Sequence, residues 1–341
     1  MQMLFAEPPG LIVSRLRRRL MQPVYRSAAY RVALGRVSAG EFLVAADAPP
    51  FAIAWPADRK QGLALLAGEF RFAGENIREP RPFSRPSGAS PAWRESLNRF
   101  DWLNDLRAAG APGAHAAAVE LTRRWIAENP RYDEAVWRSD VLAARLRNLL
   151  LNGPYLINGA EPGFPALLVG SLYRQAAHLA RALGDGLYGA ALLKAVIALM
   201  LAGLMLPRGE RLLVAGRRLF TREVSRQLLA DGGHVERSPQ AMLELLTHLV
   251  DLREVFTAAR RPHPDNLQLA IENLASAVLM LCHNDGHLGA FNDTMEIDPR
   301  VVEAALRRAG GRLRSLNQLP LPGFPRMEAG KTVALVECGA P

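Results

Sequence analysis

The feature that most constrains this chain is a helical hydrophobic period that starts at Pro91 and persists for more than two hundred residues. Trp93, Leu97, Phe100, Leu103 and Leu106 recur at steps of three and four, the spacing of one face of an α-helix. The period is interrupted at Gly110, Pro130, NGPYLINGAEPGFP, Gly184-Asp185-Gly186, Pro207, Asp231-Gly232-Gly233 and Pro262. These breaks predict about eight helices of roughly 17 to 23 residues, with a shorter ninth over 298–309. Long helices joined by short turns pack as antiparallel hairpins. Such hairpins stack in a line, close into a toroid or form a bundle, and no fixed-period repeat selects a solenoid.

The flanks read differently. Residues 1–40 form a basic amphipathic helix by pattern, either docked on the protein's own surface or laid on a membrane surface. RLRRRL falls where a signal peptide needs its apolar run, so no export signal is readable and the default compartment is cytoplasmic. Residues 41–90 carry short apolar or alternating runs, EFLVAADAPPFAIAWP and GLALLAGEFRFAGENI, then a Pro/Ser/Arg linker. Residues 91–318 are the helical domain. Residues 319–341 end in KTVALVECGAP, a strand-like run that cannot stand alone and reads as the opening of a truncated β-sheet domain. The apolar stretch YGAALLKAVIALMLAGLML is interrupted by Lys194 and flanked by further helices, so it reads as a core helix, and no integral membrane segment is expected.

Charge narrows the partner. The net charge is +9, from 42 Lys+Arg against 33 Asp+Glu, and Lys60, Lys194 and Lys331 are the only lysines. Arginine makes planar two-point bonds to carboxylate, sulfate or phosphate, which suits an acidic polymer. There is no basic-aromatic interleaving for stacked bases, so nucleic acid is not the expected polymer. GxGxxG after a strand, GxxxxGK[ST], GxSxG and HExxH are all missing, and no cofactor is expected. Cys282 and Cys338 form neither a CxxC pair nor a disulfide framework.

Two glycine turns hold the candidate chemistry. DGGHVERSP brings Asp231, His234, Glu236 and Arg237 onto a corner, with Ser238 and Pro239 placed to start the next helix. LCHNDGHLGAFNDTMEID offers His283, Asp285, His287, Asn292, Asp293 and Glu296. His283 and His287 are four apart, but Asp285-Gly286 between them opposes the helix that would align them, so no metal is expected. Helix capping and turn hydrogen bonds by Asp and Asn compete with a site as the explanation of both turns. Arg145 and Asn148 in LAARLRNLL share a helix face and suit a carboxylate, although a surface pair is the plainer reading.

In order, GEFRFAG, FDWLNDL, RRWI, VLAARLRNLL, LADGGHVERSP, NDGHLGAFND and KTVALVECGAP resemble the heparinase II/III family of polysaccharide lyases. The resemblance implies a mainly α fold: an incomplete (α/α) toroid of antiparallel hairpins, followed by a β-sandwich domain with the cleft between them. It implies β-elimination on a uronate-containing acidic polysaccharide and, by analogy, a periplasmic setting. In such chemistry the uronate carboxylate is neutralised, a base takes the C5 proton and an acid protonates the leaving oxygen. The family's Asn-His pair falls, by a gapless count, on Ala190 and Ala191, near Tyr188; its Tyr falls on Ala241. None of these alanines can move a proton. Asp231, His234, Glu236 and Ser238 match the family's turn. His234 is the one catalytic candidate, and His234, Glu236 and Arg237 are expected to reach the concave side. Lyase and non-catalytic glycan-binding or scaffold protein therefore both stand as readings.

Overall fold

The computed structural model describes residues 9–35, 55–78, 82–83 and 88–339. The run expected to supply strands over 41–54 lies outside them. The chain divides into two compact units, one ending at Leu213 and the other taking Val214 onward together with Trp55 and Pro56.

Among the described residues the first unit is helical apart from one hairpin. Its elements are α1 (Pro9–Arg26), α2 (Ala28–Gly35), α3 (Arg59–Leu66), β1 (Glu69–Phe72), β2 (Glu75–Arg78), α4 (Pro91–Arg99), α5 (Trp102–Ala109), α6 (Ala114–Glu128), α7 (Ser139–Leu151), α8 (Gly153–Ile157), α9 (Phe164–Ala182) and α10 (Gly189–Met205). β1 and β2 pair antiparallel with Phe72 opposite Glu75. The Trp93 indole donates to the Phe70 carbonyl at 3.0 Å, tying α4 to this hairpin. Capping explains where α4 begins: Ser90 accepts from the Trp93 N–H, and Pro91 supplies a pre-set φ in the first turn.

One sequence expectation needs correction here. The face Trp93–Leu97–Phe100–Leu103–Leu106 is not carried by a single helix. Phe100 adopts a left-handed conformation, φ 65°, and ends α4; α5 restarts at Trp102. All five side chains are nonetheless at most 1% exposed, because the two short helices turn the same residues into one core. With this break and the short α8, the stretch from 91 to 309 holds eleven helices, more than the nine expected.

α10 is buried along most of its length, from Leu193 and Ala195 through Met205, which fits a central helix that is apolar all round. Among the described residues no helix is long and apolar enough to cross a membrane. α11 (Glu210–Gln227) follows.

The second unit adds α12 (Pro239–Ala258), α13 (Leu267–Met280), α14 (Pro299–Ala309), β3 (Gln318–Leu319), β4 (Phe324–Ala329) and β5 (Thr332–Leu335). α12 packs against α13 in its core, and Met242, Leu245, Leu246 and Leu249 of the one and Leu267, Ile271, Leu274 and Val278 of the other are all fully buried. Trp55 is anchored here: its indole donates to Asp251 Oδ1 at 2.8 Å, and the Arg308 guanidinium lies 4.5 Å from its ring.

The C-terminal strand is not alone. β3, β4 and β5 form an antiparallel three-stranded sheet, with β4 and β5 joined across Gly330-Lys331 and Gly330 at φ +60°. FPRMEA does not read as a strand in the sequence, because Pro325 and the charged Arg326 and Glu328 hide its period. Arg326 fixes it: the guanidinium donates to the carbonyls of Met280 and Cys282 at the end of α13.

Candidate functional site

The second unit brings the two glycine turns and the C-terminal strand together. After α11 the chain folds back on itself: Leu229 N–H donates to Gly233 O at 2.8 Å and Val235 N–H to Gln227 O at 3.0 Å. Gly232 sits at φ +99°, and a Cβ there would lie 2.3 Å from the Asn273 carbonyl oxygen, so only glycine fits against α13. Asp231 closes the turn from both sides. Its Oδ1 accepts from Gly233 N–H at 3.0 Å and its Oδ2 from Leu321 N–H at 2.9 Å. Ser238 then starts α12 by accepting from the Ala241 N–H. Ser238→Ala is expected to lower stability by about 1 kcal/mol. Urea unfolding checks this, and an unchanged midpoint would deny the cap its role.

His234 was expected to face a cleft, and on that point the structure differs. The side chain is 0% exposed. Its Nδ1 accepts from the Glu236 N–H at 3.1 Å, which leaves Nε2 to carry the proton and donate to Gln227 Oε1 at 3.1 Å. Gln227 in turn donates to Glu223 Oε2 at 3.0 Å. Both ring nitrogens are thus occupied inside the protein, and His234 braces the corner.

Arg237 lies nearer the surface, its side chain 23% exposed, at φ +57°. It forms an ion pair with Glu337, just after β5. Asn292 joins them: its Nδ2 donates to Arg237 O at 2.8 Å and to Glu337 Oε1 at 2.8 Å. The Asn292 hydrogen bond, then the Arg237 guanidinium, hold the Glu337 carboxyl below its ordinary range. Glu337 was not among the sequence candidates, since nothing in KTVALVECGAP marks one carboxylate as the partner of a turn a hundred residues earlier. Asn292 and Asp293 are exposed, and both adopt left-handed φ. The Glu236 side chain is 30% exposed.

Arg145 and Asn148 belong to the first unit, and the surface-pair reading is corrected. Both are buried, because α7 is enclosed on nearly every side. Arg145 Nε donates to Gln175 Oε1 at 2.9 Å, and its Nη1 to the carbonyls of Asn98 and Val136. Asn148 Nδ2 donates to Asp101 Oδ1 at 2.7 Å and to Arg99 O. Ala190 and Ala191 occupy the first turn of α10, and Tyr188, at its N-cap position, is 57% exposed. Ala241 occupies the first turn of α12. Among the described residues no group of three or more His, Cys, Asp or Glu is arranged to hold a metal.

Known proteins share this fold in part. Residues 73–311 match the Heparinase II/III N-terminus family. FtsZ-localized protein C of Caulobacter vibrioides (strain NA1000 / CB15N) is 33% identical over 293 residues, 84% of this chain and 50% of that protein. The crystal structure of heparinase III superposes with a TM-score of 0.60 at 17% identity, over 97% of this chain and 60% of that one. Heparan sulfate lyase HepC from Pedobacter heparinus gives 0.54 at 19% identity, over 98% and 60%. The chain thus spans half the length of the curated relative and 60% of these lyase chains. The structural likeness places the fold in the heparinase toroid class, and the match over 73–311 establishes that the chain belongs to the heparinase II/III family.

Proposed function

We propose that this protein is a non-catalytic member of its family, a scaffold that uses the heparinase fold to hold partners together. The observation that carries this reading is the set of alanines at 190, 191 and 241, where the family resemblance puts its Asn-His pair and its Tyr. A methyl group neither neutralises a uronate nor transfers a proton, so the three roles of β-elimination have no bearers at these positions. The burial of His234, with both ring nitrogens engaged, supports the same reading. Under this proposal Asp231, His234, Arg145 and Asn148 maintain the fold. Glu236, Arg237, Asn292 and Asp293, nearer the surface, make the contacts to an acidic glycan chain. The relative named for FtsZ suggests the setting, and we extend the proposal to a role alongside FtsZ.

The second reading, a lyase acting on a uronate-containing glycan, rests on the shared fold with heparinase III and HepC. Incubation with heparin, heparan sulfate, chondroitin sulfate and alginate separates the two. The expected result is no growth in the ultraviolet absorbance of unsaturated uronate products with any of the four. Turnover that survives dilution and is lost in Tyr188→Phe would establish the lyase instead. Co-sedimentation with polymerised FtsZ tests the setting, and recovery of the protein in the pellet only when FtsZ is present is the expected outcome.

A further inference from the structure

α1 is amphipathic in an inverted sense. One side of the helix is fastened to the first unit by its polar groups. Arg17 Nε pairs with Asp185 at 3.2 Å and Arg17 Nη2 donates to the Arg181 carbonyl at 2.8 Å. Arg18 pairs with Glu134 at 3.2 Å, and the Tyr25 hydroxyl donates to Asp185 Oδ2 at 2.6 Å. Met21 packs against the cluster formed by Tyr25, Tyr30, Leu34 and Ala182. At 100° per residue these side chains occupy one arc of the helix.

Among the described residues the opposite arc is apolar and uncovered. Ile12, Leu16, Leu20 and Val24 follow one another at i, i+4, i+8 and i+12, with Val13 beside them, and these five are 46% to 67% exposed. A soluble helix docked for stability alone buries its apolar stripe and shows its charges; here the stripe is left outside. Arg15, Arg19 and Arg26, all exposed, run along one flank of the stripe. Residues 9–35 hold six arginines and neither Asp nor Glu. Charge complementarity selects the occupant, because a row of arginines beside inserted aliphatic side chains matches lipid headgroups above acyl chains.

We propose that α1 lies in the interface of an anionic lipid bilayer. Ile12, Leu16, Leu20 and Val24 enter the acyl boundary, Arg15, Arg19 and Arg26 meet lipid phosphates, and the Arg17–Tyr25 side keeps the first unit attached. A surface helix of this kind binds peripherally and needs no spanning segment. The proposal goes beyond the scaffold reading and stands independently of it, since it is read by lipid binding and not by activity on a glycan.

Flotation of the full chain with vesicles tests it, using phosphatidylcholine alone and phosphatidylcholine mixed with phosphatidylglycerol. The protein is expected to float with the mixed vesicles, much less with phosphatidylcholine alone, and less again at high salt. Leu16→Glu/Leu20→Glu should reduce binding by more than about ten-fold. Arg19→Gln/Arg26→Gln should weaken it roughly five-fold per charge. Leu16 and Leu20 are both more than half exposed, so the first variant keeps its helical circular dichroism and its melting temperature. Flotation that ignores lipid charge, or that survives the Leu16/Leu20 variant, overturns the proposal. So does a wild-type dimer that this variant converts to monomer in the absence of vesicle binding, for then a second copy covers the stripe.

Discussion

Replacing Arg145 with Ala should destabilise the first unit by about 3–5 kcal/mol, from buried acceptors left without a donor together with a cavity left in the core. The guanidinium is 0% exposed, and its hydrogen-bond partners are neutral oxygens: Gln175 Oε1, the Asn98 carbonyl and the Val136 carbonyl. Its flat face lies 4.3 Å from the Trp125 ring, and Trp125 in turn donates to Asn98 Oδ1 at 2.8 Å. Burial lowers the Arg145 pKa to about 9, which still leaves the group charged at neutral pH. Truncation to Ala leaves three acceptors without a donor and opens a hole against Trp125. Arg145→Met separates these two costs. It refills much of the volume but leaves the same three acceptors unpaired, at about 1–3 kcal/mol for each buried group so orphaned. Trp93, Trp102, Trp125 and Trp137 all lie in the first unit, so tryptophan fluorescence during urea unfolding reports chiefly on it. An Arg145→Met protein as stable as wild type would show that Arg145 serves only to fill space.

Arg145 also shows what the sequence could and could not convey. LAARLRNLL announces a helix by composition and spacing, and α7 is there. Direction was the missing term. A polar residue on a helix with one apolar stripe points outward, but the run from Val141 to Leu151 is buried almost throughout, so Arg145 and Asn148 have no outside to face. The same limit applies to His234. The DGGHVERSP corner was legible from its glycines and its Ser-Pro start, and Ser238 caps α12 as read. Whether a histidine on that corner looks out or in depends on Gln227, one helix end away in space, which no local pattern reveals. β4 was missed for a related reason: a strand held by Arg326 against the end of α13 need not show a clean alternation of its own. Long-period features survive reading from sequence because each residue repeats the evidence, whereas a single side chain's partner is decided by how the chain folds back on itself.

His178 sets the largest expected response to pH. It is 1% exposed, packed edge-on against Tyr25, Tyr30 and Trp137, and its Nδ1 is 2.8 Å from the Tyr30 hydroxyl. Burial, reinforced by the nearby positive charges of Arg145 and Arg181, pulls its pKa down to about 4, against a hydrogen bond to the Trp137 backbone that works the other way. Between pH 6.5 and pH 4 the unfolded chain therefore binds a proton that the folded protein refuses. Stability from this group is full above pH 6.5 and falls as the pH drops towards 4, by about 2–3 kcal/mol at pH 4.5. Asp105 opposes it. Burial raises that carboxyl to about 6, despite the 2.8 Å bond from the Asp58 N–H, so the folded state takes up its proton first. Its contribution accordingly grows by about 2 kcal/mol as the pH falls from 7 to 4.5. The two effects nearly cancel in the wild type, and substitution uncovers each of them. Asp105→Asn should give a protein whose stability declines steeply from pH 6.5 downward, whereas in His178→Gln the decline should vanish or reverse. Urea midpoints at pH 7 and pH 4.5 for the three proteins decide the matter. If His178→Gln shifts the midpoint equally at both pH values, His178 is not excluding a proton, and the aromatic cluster that fastens α1 and α2 to α9 is indifferent to acid.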